Sequence, residues 1–408
     1  MLNSLKVAFF LAFKSLKRSN KATIILTPII IGVSFINIAF SSALFSGMLK
    51  TLDNQLINNW LSHVIIRPER GKQYLEDVQK KRKLIESIPG VIATASHYKL
   101  GAQFTFDRWA DAKNIESGGY QVISVIPSQE KKVIEVYKHV IKGKFLDDSD
   151  TNSVVIGVEI AGGAGSSFNE NSLKGPTIGD KIYIIFPNGV RKKFIVKGIY
   201  KTGIDGIDMA AYITQKEMES ILGTFNQASE INVKLSSPDN YRPYISKIQK
   251  LIIDKEKISG WDQFLTMTKQ MKSSFVILNG ITVFISLIIA AATIFIVIFI
   301  NVINKKRQIG ILKAIGVSKN IIIVSYLIQA VFYVIIGTLI GVFVLYVILD
   351  AIFKSYPLDM GFGKVSLDIV FSDILSSLNS LIIVSVISGF IPAWKTSKEP
   401  IIKAIWGA

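Results

Sequence analysis

The 408-residue sequence contains no cysteine. That excludes disulfides, thiolate metal sites, a cysteine nucleophile and lipid attachment through cysteine. Histidine is scarce too: His63, His97 and His139 are the whole set, and no His-Glu-x-x-His pattern occurs among them. Each reads as a solvated or structural histidine. No Gly-Lys pair is followed by Ser or Thr, so a Walker-type phosphate loop is missing and no nucleotide-hydrolysing site is expected on this chain. Gly162-Gly163-Ala164-Gly165-Ser166-Ser167 is rich in glycine but lacks that ending, and reads as a flexible loop. Asp205 and Asp208 stand in and beside the Gly-rich stretch 203–206 and read as turn-forming carboxylates rather than metal ligands.

Charge is missing from four long runs, 22–49, 273–304, 320–349 and 374–394. Each exceeds the roughly 20 apolar residues that cross a hydrocarbon core. With no charged residue inside these runs, an intramembrane proton or ion relay has no support. The first run is too long for the apolar part of a signal peptide and shows no convincing cleavage site, so it is kept as a span. The expected fold class is an integral membrane α-helical protein with four transmembrane helices. A large extracytoplasmic α+β domain (50–272) separates helices 1 and 2.

What charge there is sits in particular places. Residues 1–21 carry five Lys/Arg and no acid, 304–320 another five and no acid, and 393–408 three Lys against Glu399. These flanks hold +12 of the formal +17. Lys/Arg clustered beside spans places those flanks in the cytoplasm, which makes anionic lipid, not nucleic acid, the expected partner of the basic charge.

The expected order is then an amphipathic cytoplasmic helix at 1–21, spans at 22–49 and 273–304, a cytoplasmic loop at 305–319, a third span at 320–349, a short outer loop at 350–373, a fourth span at 374–394 and a cytoplasmic tail at 395–408. Leu5, Phe9, Phe10, Phe13 and Leu16 recur at helical spacing against Lys6, Lys14, Lys17 and Arg18, as in a helix lying in the membrane interface. Within the large domain, strands are expected at 64–67, 119–125, 153–157, 181–186, 193–200, 210–214 and 230–235. Helices are expected at 74–87, 214–222 and 239–255, and Pro187-Asn188-Gly189 has hairpin-turn chemistry. Gly337-x-x-x-Gly341 in the third span permits close helix approach, either within the chain or between two copies. Ser376, Ser377, Asn379, Ser380, Ser385 and Ser388 in the fourth span suggest helix–helix hydrogen bonding, with lining of a substrate path as the alternative.

The loop at 305–319 contains Gln308-Ile309-Gly310-Ile311-Leu312-Lys313-Ala314-Ile315-Gly316, then Val317-Ser318. Its apolar residues are too few to span a bilayer, but suffice for one short amphipathic helix with Gly310 and Gly316 near its ends. The string resembles the cytoplasmic loop of the ABC permease family that contains the macrolide exporter and the lipoprotein-releasing proteins. That loop reads Arg-x-x-Glu-Ile-Gly-(Ile/Leu)-Leu-(Lys/Arg)-Ala-(Ile/Leu)-Gly-Ala-(Ser/Thr). The match runs from Ile309 to Gly316 and resumes at Ser318, with departures at Gln308 and Val317. The resemblance extends to Ala12 and Leu16–Lys21, to Val154-Val155-Ile156-Gly157 with Ile160-Ala161, and to Gly179-Asp180-Lys181-Ile182. It continues at Pro392-Ala393-Trp394-Lys395 with Pro400-Ile401-Ile402-Lys403-Ala404-Ile405. Phe194, Val196, Gly198, Ile199 and Tyr200 with Gly203 and Asp208 are closer to the lipoprotein-releasing branch.

The resemblance implies a permease subunit of the inner membrane, not itself an enzyme. Gln308–Gly316 would be the coupling helix that docks on a cytoplasmic ATPase, with ATP and Mg bound by that partner and no cofactor on this chain. Ile309, Ile311, Leu312 and Ile315 would be the buried contacts, while Lys306, Arg307 and Lys313 would meet acidic ATPase surface or lipid headgroups. The resemblance also implies a second permease subunit, and lipoprotein release or substrate export as the work done. Two alternatives stay open: a non-transporting regulator that moves an outer enzyme, and a membrane sensor without an ATPase.

Overall fold

The structure, a computed structural model, describes residues 2–17, 21–108, 115–163, 166, 172–237, 240–252, 256–264 and 266–400. Residues 401–408 of the C-terminal motif and most of the 164–171 glycine-rich stretch lie outside this set. The chain forms two units. One comprises Met1–Lys50, Gln270–Leu358 and Val365–Ala408; the other comprises Thr51–Lys269 and Asp359–Lys364.

The first unit is helical. An N-terminal helix, Leu2–Lys17, precedes a first long helix, Lys21–Leu56. A second long helix, Thr266–Asn304, is followed by a short connecting helix, Lys306–Ala314. The third long helix, Lys319–Phe343, continues through a π turn, Val344–Leu349, into Asp350–Ser355; the fourth is Phe371–Ser397. Four of these helices are long and apolar enough to cross a membrane. Helix therefore extends to Ser355, into the stretch expected to be an outer loop, where Asp350 and Lys354 pair one turn apart at 2.7 Å.

Gly337 and Gly341 are both spent on a contact inside the chain. A Cβ on Gly337 would lie 2.8 Å from the Pro28 carbonyl oxygen and 3.0 Å from the Gly32 nitrogen, and one on Gly341 2.5 Å from the Phe35 ring. Missing side chains let the first and third helices approach backbone to backbone. Polar ties join the first and second helices: Ser286 Oγ donates to Asn37 Oδ1 at 2.7 Å, and Asn279 Nδ2 to Ser42 Oγ at 3.0 Å. The fourth helix departs from expectation. Ser377, Ser380 and Ser385 donate to the carbonyls of Asp373, Ser376 and Ile382 in their own helix rather than across to a neighbour. Ser377, Ser385 and Ser388 are buried, so their small size, not an interhelical bond, is what the packing uses.

The second unit is α+β. Its strands are β1 (Val64–Arg67), β2 (Val91–His97), β3 (Lys99–Asp107), β4 (Ile115–Val125), β5 (Val140–Gly143), β6 (Ser153–Gly157), β7 (Lys181–Ile185), β8 (Arg191–Tyr200), β9 (Ala210–Thr214), β10 (Glu230–Leu235) and β11 (Lys257–Gly260). One antiparallel sheet has the order β11-β1-β10-β2. In the other, β5-β8-β6-β9-β4-β3-β7, β7 pairs with β8 as well as β3, so six strands close into a ring. Alternation sorts the side chains: Phe104, Val122, Val154, Ile156, Ile184, Phe194, Val196 and Ile213 fill one core, while Ile123, Val125, Val155, Tyr200 and Tyr212 face another. The ring is covered on that second side by the segment containing Pro127–Val133.

Sequence periodicity located β1, β6, β9 and β10 at their observed bounds but missed β2, β3, β5 and β11. The expected helices begin or end a few residues differently, at Val78–Glu86, Gln215–Leu222 and Arg242–Leu251. Asp208 is a turn carboxylate: it accepts from the Thr202 nitrogen and hydroxyl at 2.8 Å and from the Gly203 nitrogen at 3.0 Å.

Candidate functional site

The connecting helix is separated from the second long helix by a single residue, Lys305. Lys, Arg, Gln, Ile, Leu and Ala favour helix, and Gly310, which lies mid-helix rather than near an end, costs about 1 kcal/mol of propensity. The stop is a paired cap. Gly316 takes φ +93°, its nitrogen bonds to the Lys313 carbonyl at 3.1 Å, and the Val317 nitrogen bonds to the Leu312 carbonyl at 3.0 Å. Ser318 then opens the third long helix from extended backbone, so only four residues, 315–318, separate the two helices.

The helix has two faces. Ile309 is 3% exposed and packs with Ile322 and Ile323 of the third long helix in the unit's own core. It is therefore an anchor to the bundle, contrary to its expected role as a contact with a partner. Gly310 is buried and Leu312 half-buried. Ile311 is 48% and Ile315 72% exposed, and with the exposed Arg307, Gln308 and Ala314 they form one stripe at helical spacing. The bundle leaves this stripe uncovered.

Both ends of the helix are tied to other elements. Lys305 Nζ donates to the Ser15 carbonyl at 2.8 Å and to Ser15 Oγ at 2.6 Å, and Ser15 Oγ donates to Gln329 Oε1 at 3.2 Å. Burial lowers the Lys305 pKa from the usual lysine value. Lys306 pairs with Glu399 at 2.6 Å, and Lys313 Nζ donates to the carbonyls of Ser397 (3.0 Å) and Glu399. Lys306 and Lys313, expected to face a partner or lipid headgroups, instead bind the end of the fourth helix and the residues just after it. These contacts connect the segment to the N-terminal and fourth helices, beside its chain links to the second and third. These ties join residues far apart in the chain, and no spacing rule signals them.

The histidines take structural places in the α+β unit. His63 Nδ1 accepts from the Leu235 nitrogen at 2.8 Å, and His97 Nε2 lies 2.6 Å from Glu130 Oε2. Burial lowers the pKa of His139. Beside His97, Glu230 is buried between Lys99 (2.6 Å) and Arg67 (3.0 Å). Burial alone would raise the Glu230 pKa, but Lys99, His97 and Arg67 outweigh it and hold the carboxyl at about 2. Among the described residues no group of three or more His, Asp or Glu side chains is placed to hold a metal ion.

Comparison with known proteins adds to this geometry. Residues 280–401 match the family described as FtsX-like permease C-terminal. An uncharacterized ABC transporter permease of Methanocaldococcus jannaschii is 25% identical over 342 residues, covering 81% of this chain and 79% of that protein. The lipoprotein-releasing system transmembrane protein LolC of Neisseria meningitidis serogroup B is 25% identical over 333 residues, 77% of this chain and 73% of that protein. The crystal structure of the periplasmic region of MacB from Actinobacillus actinomycetemcomitans covers 54% of this chain and 98% of that one, at 12% identity and a TM-score of 0.38.

Proposed function

We propose that this chain, a permease of the ABC transporter family with an FtsX-like domain at residues 280–401, couples ATP hydrolysis on a separate cytoplasmic subunit to movement of its α+β unit outside the membrane. The observation that carries the proposal is the uncovered Ile311–Ile315 stripe on a helix tied at both ends to the bundle. In this reading the protein lies in the inner membrane with both termini and the connecting helix in the cytoplasm, as its basic flanks direct. Two permease subunits pair with two ATPases, which bind the ATP and Mg.

ATPase closure pushes the exposed stripe. Because the second helix breaks only at Lys305 and the capped turn at Gly316–Ser318 is short, the push reaches the long helices as displacement instead of being absorbed in a loop. The chain leaves the helical unit for the α+β unit at 50/51, returns at 269/270, and contributes 359–364 to it again, so movement of the long helices has four covalent junctions through which to reach that unit. The work done is release of a lipoprotein from the inner membrane or export of another substrate handled outside the cytoplasm. Gln308 to Gly316 divide the labour: Gln308, Ile311, Ala314 and Ile315 dock, Ile309, Gly310 and Leu312 fasten the helix to the bundle, Lys313 ties it to the fourth helix, and Gly316 sets the turn.

The test is co-purification. The tagged full chain in mild detergent should bring down a stoichiometric ATPase, and Ile311→Asp with Ile315→Asp should abolish that capture while membrane insertion and yield stay unchanged. Undiminished capture by the double variant would overturn the docking assignment, and a chain purifying without any ATPase would favour a membrane sensor.

A further inference from the structure

A cavity of about 290 Å³ lies inside the helical unit, between the N-terminal helix, the connecting helix and the third long helix. Lys14 and Ser15, Lys305 and Gln308, and Tyr326 and Gln329 face it from the three sides. Lys305 is the unusual member. It is half-buried, and its two hydrogen bonds go to neutral oxygens of Ser15. An ammonium has three N–H donors, which leaves one for the cavity. A buried charge held only by neutral groups is costly, and an anion offsets that cost.

Among the described residues, no Asp or Glu lines the cavity. No Asp or Glu occurs in residues 1–52 or 270–349, and Glu399 is the only one in 374–408. Glu399 is engaged with Lys306 at 2.6 Å. A bound anion would supply the counter-charge, and the position of the cavity indicates its class. Tyr326 and Gln329 lie about 10–15 Å along their helix from Lys319, so the cavity opens where a membrane helix passes from its charged flank into hydrocarbon. Apart from Ser325, its remaining wall is apolar, with Leu11 and Ile322 among the lining residues. Beside it the N-terminal helix turns Phe9, Phe10 and Phe13 outward, each about 60% exposed, as a helix seated in acyl chains would.

We propose that this cavity is a specific site for the phosphate headgroup of an anionic phospholipid, held by Lys305 and Lys14 with Ser15, Gln308 and Gln329 around it. The bound lipid bridges the N-terminal helix and the base of the connecting helix, filling the space next to the one residue that separates the second long helix from the coupling segment. Gln308 and Ile311 border both the cavity and the exposed stripe, so the lipid would sit beside the docking surface; the inference itself rests on membrane embedding and not on ATPase docking.

The experiment uses delipidated full-length protein in detergent, titrated with phosphatidylglycerol or phosphatidylcholine of the same acyl chains and read by native mass spectrometry. Saturable retention of one phosphatidylglycerol is expected, with phosphatidylcholine weaker. Losing one charge-assisted contact should cost about tenfold in apparent affinity in Lys305→Met. Leu11→Trp, which keeps every charge but fills the cavity, should weaken retention comparably, and Lys17→Met, at an exposed position outside the cavity, should leave it unchanged. Retention insensitive to both Lys305→Met and Leu11→Trp would overturn the proposal. So would inorganic phosphate that stabilises the protein as fully as the lipid, which would make the ligand a free anion. Loss of ATPase capture in Lys305→Met with phosphatidylglycerol retention intact would assign the cavity to a protein carboxylate instead.

Discussion

Single residues carry two strong constraints in this protein. Glu230 is one. Its carboxyl is held at about 2 in the folded state against an ordinary value of 4.5. A depressed folded pKa gives stability that is fully present above the ordinary value and is lost as pH falls from about 4.5 toward 2. Thermal melting of the α+β unit within the full chain, followed from pH 7 down to pH 3, should show that loss, and Glu230→Gln should flatten it. The same variant should destabilise at pH 7 by about 3–5 kcal/mol, since it leaves Lys99 buried without its carboxylate; an unchanged melting temperature would remove Glu230 from the framework. Gly316 is the other constraint. Its φ of +93° suits only a residue without Cβ, so Gly316→Val should cost about 1–2 kcal/mol and loosen the turn. The readout is melting temperature together with ATPase capture, and Gly316→Asn should fall between the two.

At the scale of elements, the close approach of the first and third helices depends on Gly32, Gly337 and Gly341. Gly337→Leu places side-chain atoms where Pro28 and Gly32 backbone already stand, and should sharply reduce the monodisperse fraction on size-exclusion chromatography. Yield equal to that of the parent protein would show that the helices can separate freely. Much of this level was legible in the sequence. Uncharged runs longer than a bilayer are unambiguous, and the connecting helix announced itself by a short apolar string between two of them, although Gly310, expected near an end, lies at its middle. The missed strands have physical reasons. β2 alternates through Ala93 and Ala95, and β3 carries Gly101 and Ala102 where a bulky β-former would have signalled a strand; both owe their place to pairing with distant partners rather than to local preference. The orientation of the connecting helix was not legible either. Ile309, Ile311, Leu312 and Ile315 look alike as apolar residues, and only the packing of Ile309 against the third helix shows which side is left outward. The Lys305–Ser15 and Lys306–Glu399 ties, with partners 290 and 93 residues away, had no sequence signal at all.

For the molecule as a whole, the central claim is that an outward stripe on a fastened helix receives force from a second protein. The flanks 1–21, 304–320 and 393–408 hold +12 of the formal +17, the four apolar runs carry no charge, and the folded α+β unit follows the first span in the chain. These features suit the proposed role of transmitting displacement. The absence of cysteine makes the most direct measurement clean. Single cysteines placed at Ile315, Ile311 and Ile309 can be treated with a short bismaleimide in native membranes and the products identified by mass. Crosslinks to an ATPase subunit are expected from Ile315→Cys and Ile311→Cys, and none from the inward Ile309→Cys. Crosslinking only to lipid-embedded proteins, or equally from all three positions, would contradict the assignment of this stripe as the coupling surface.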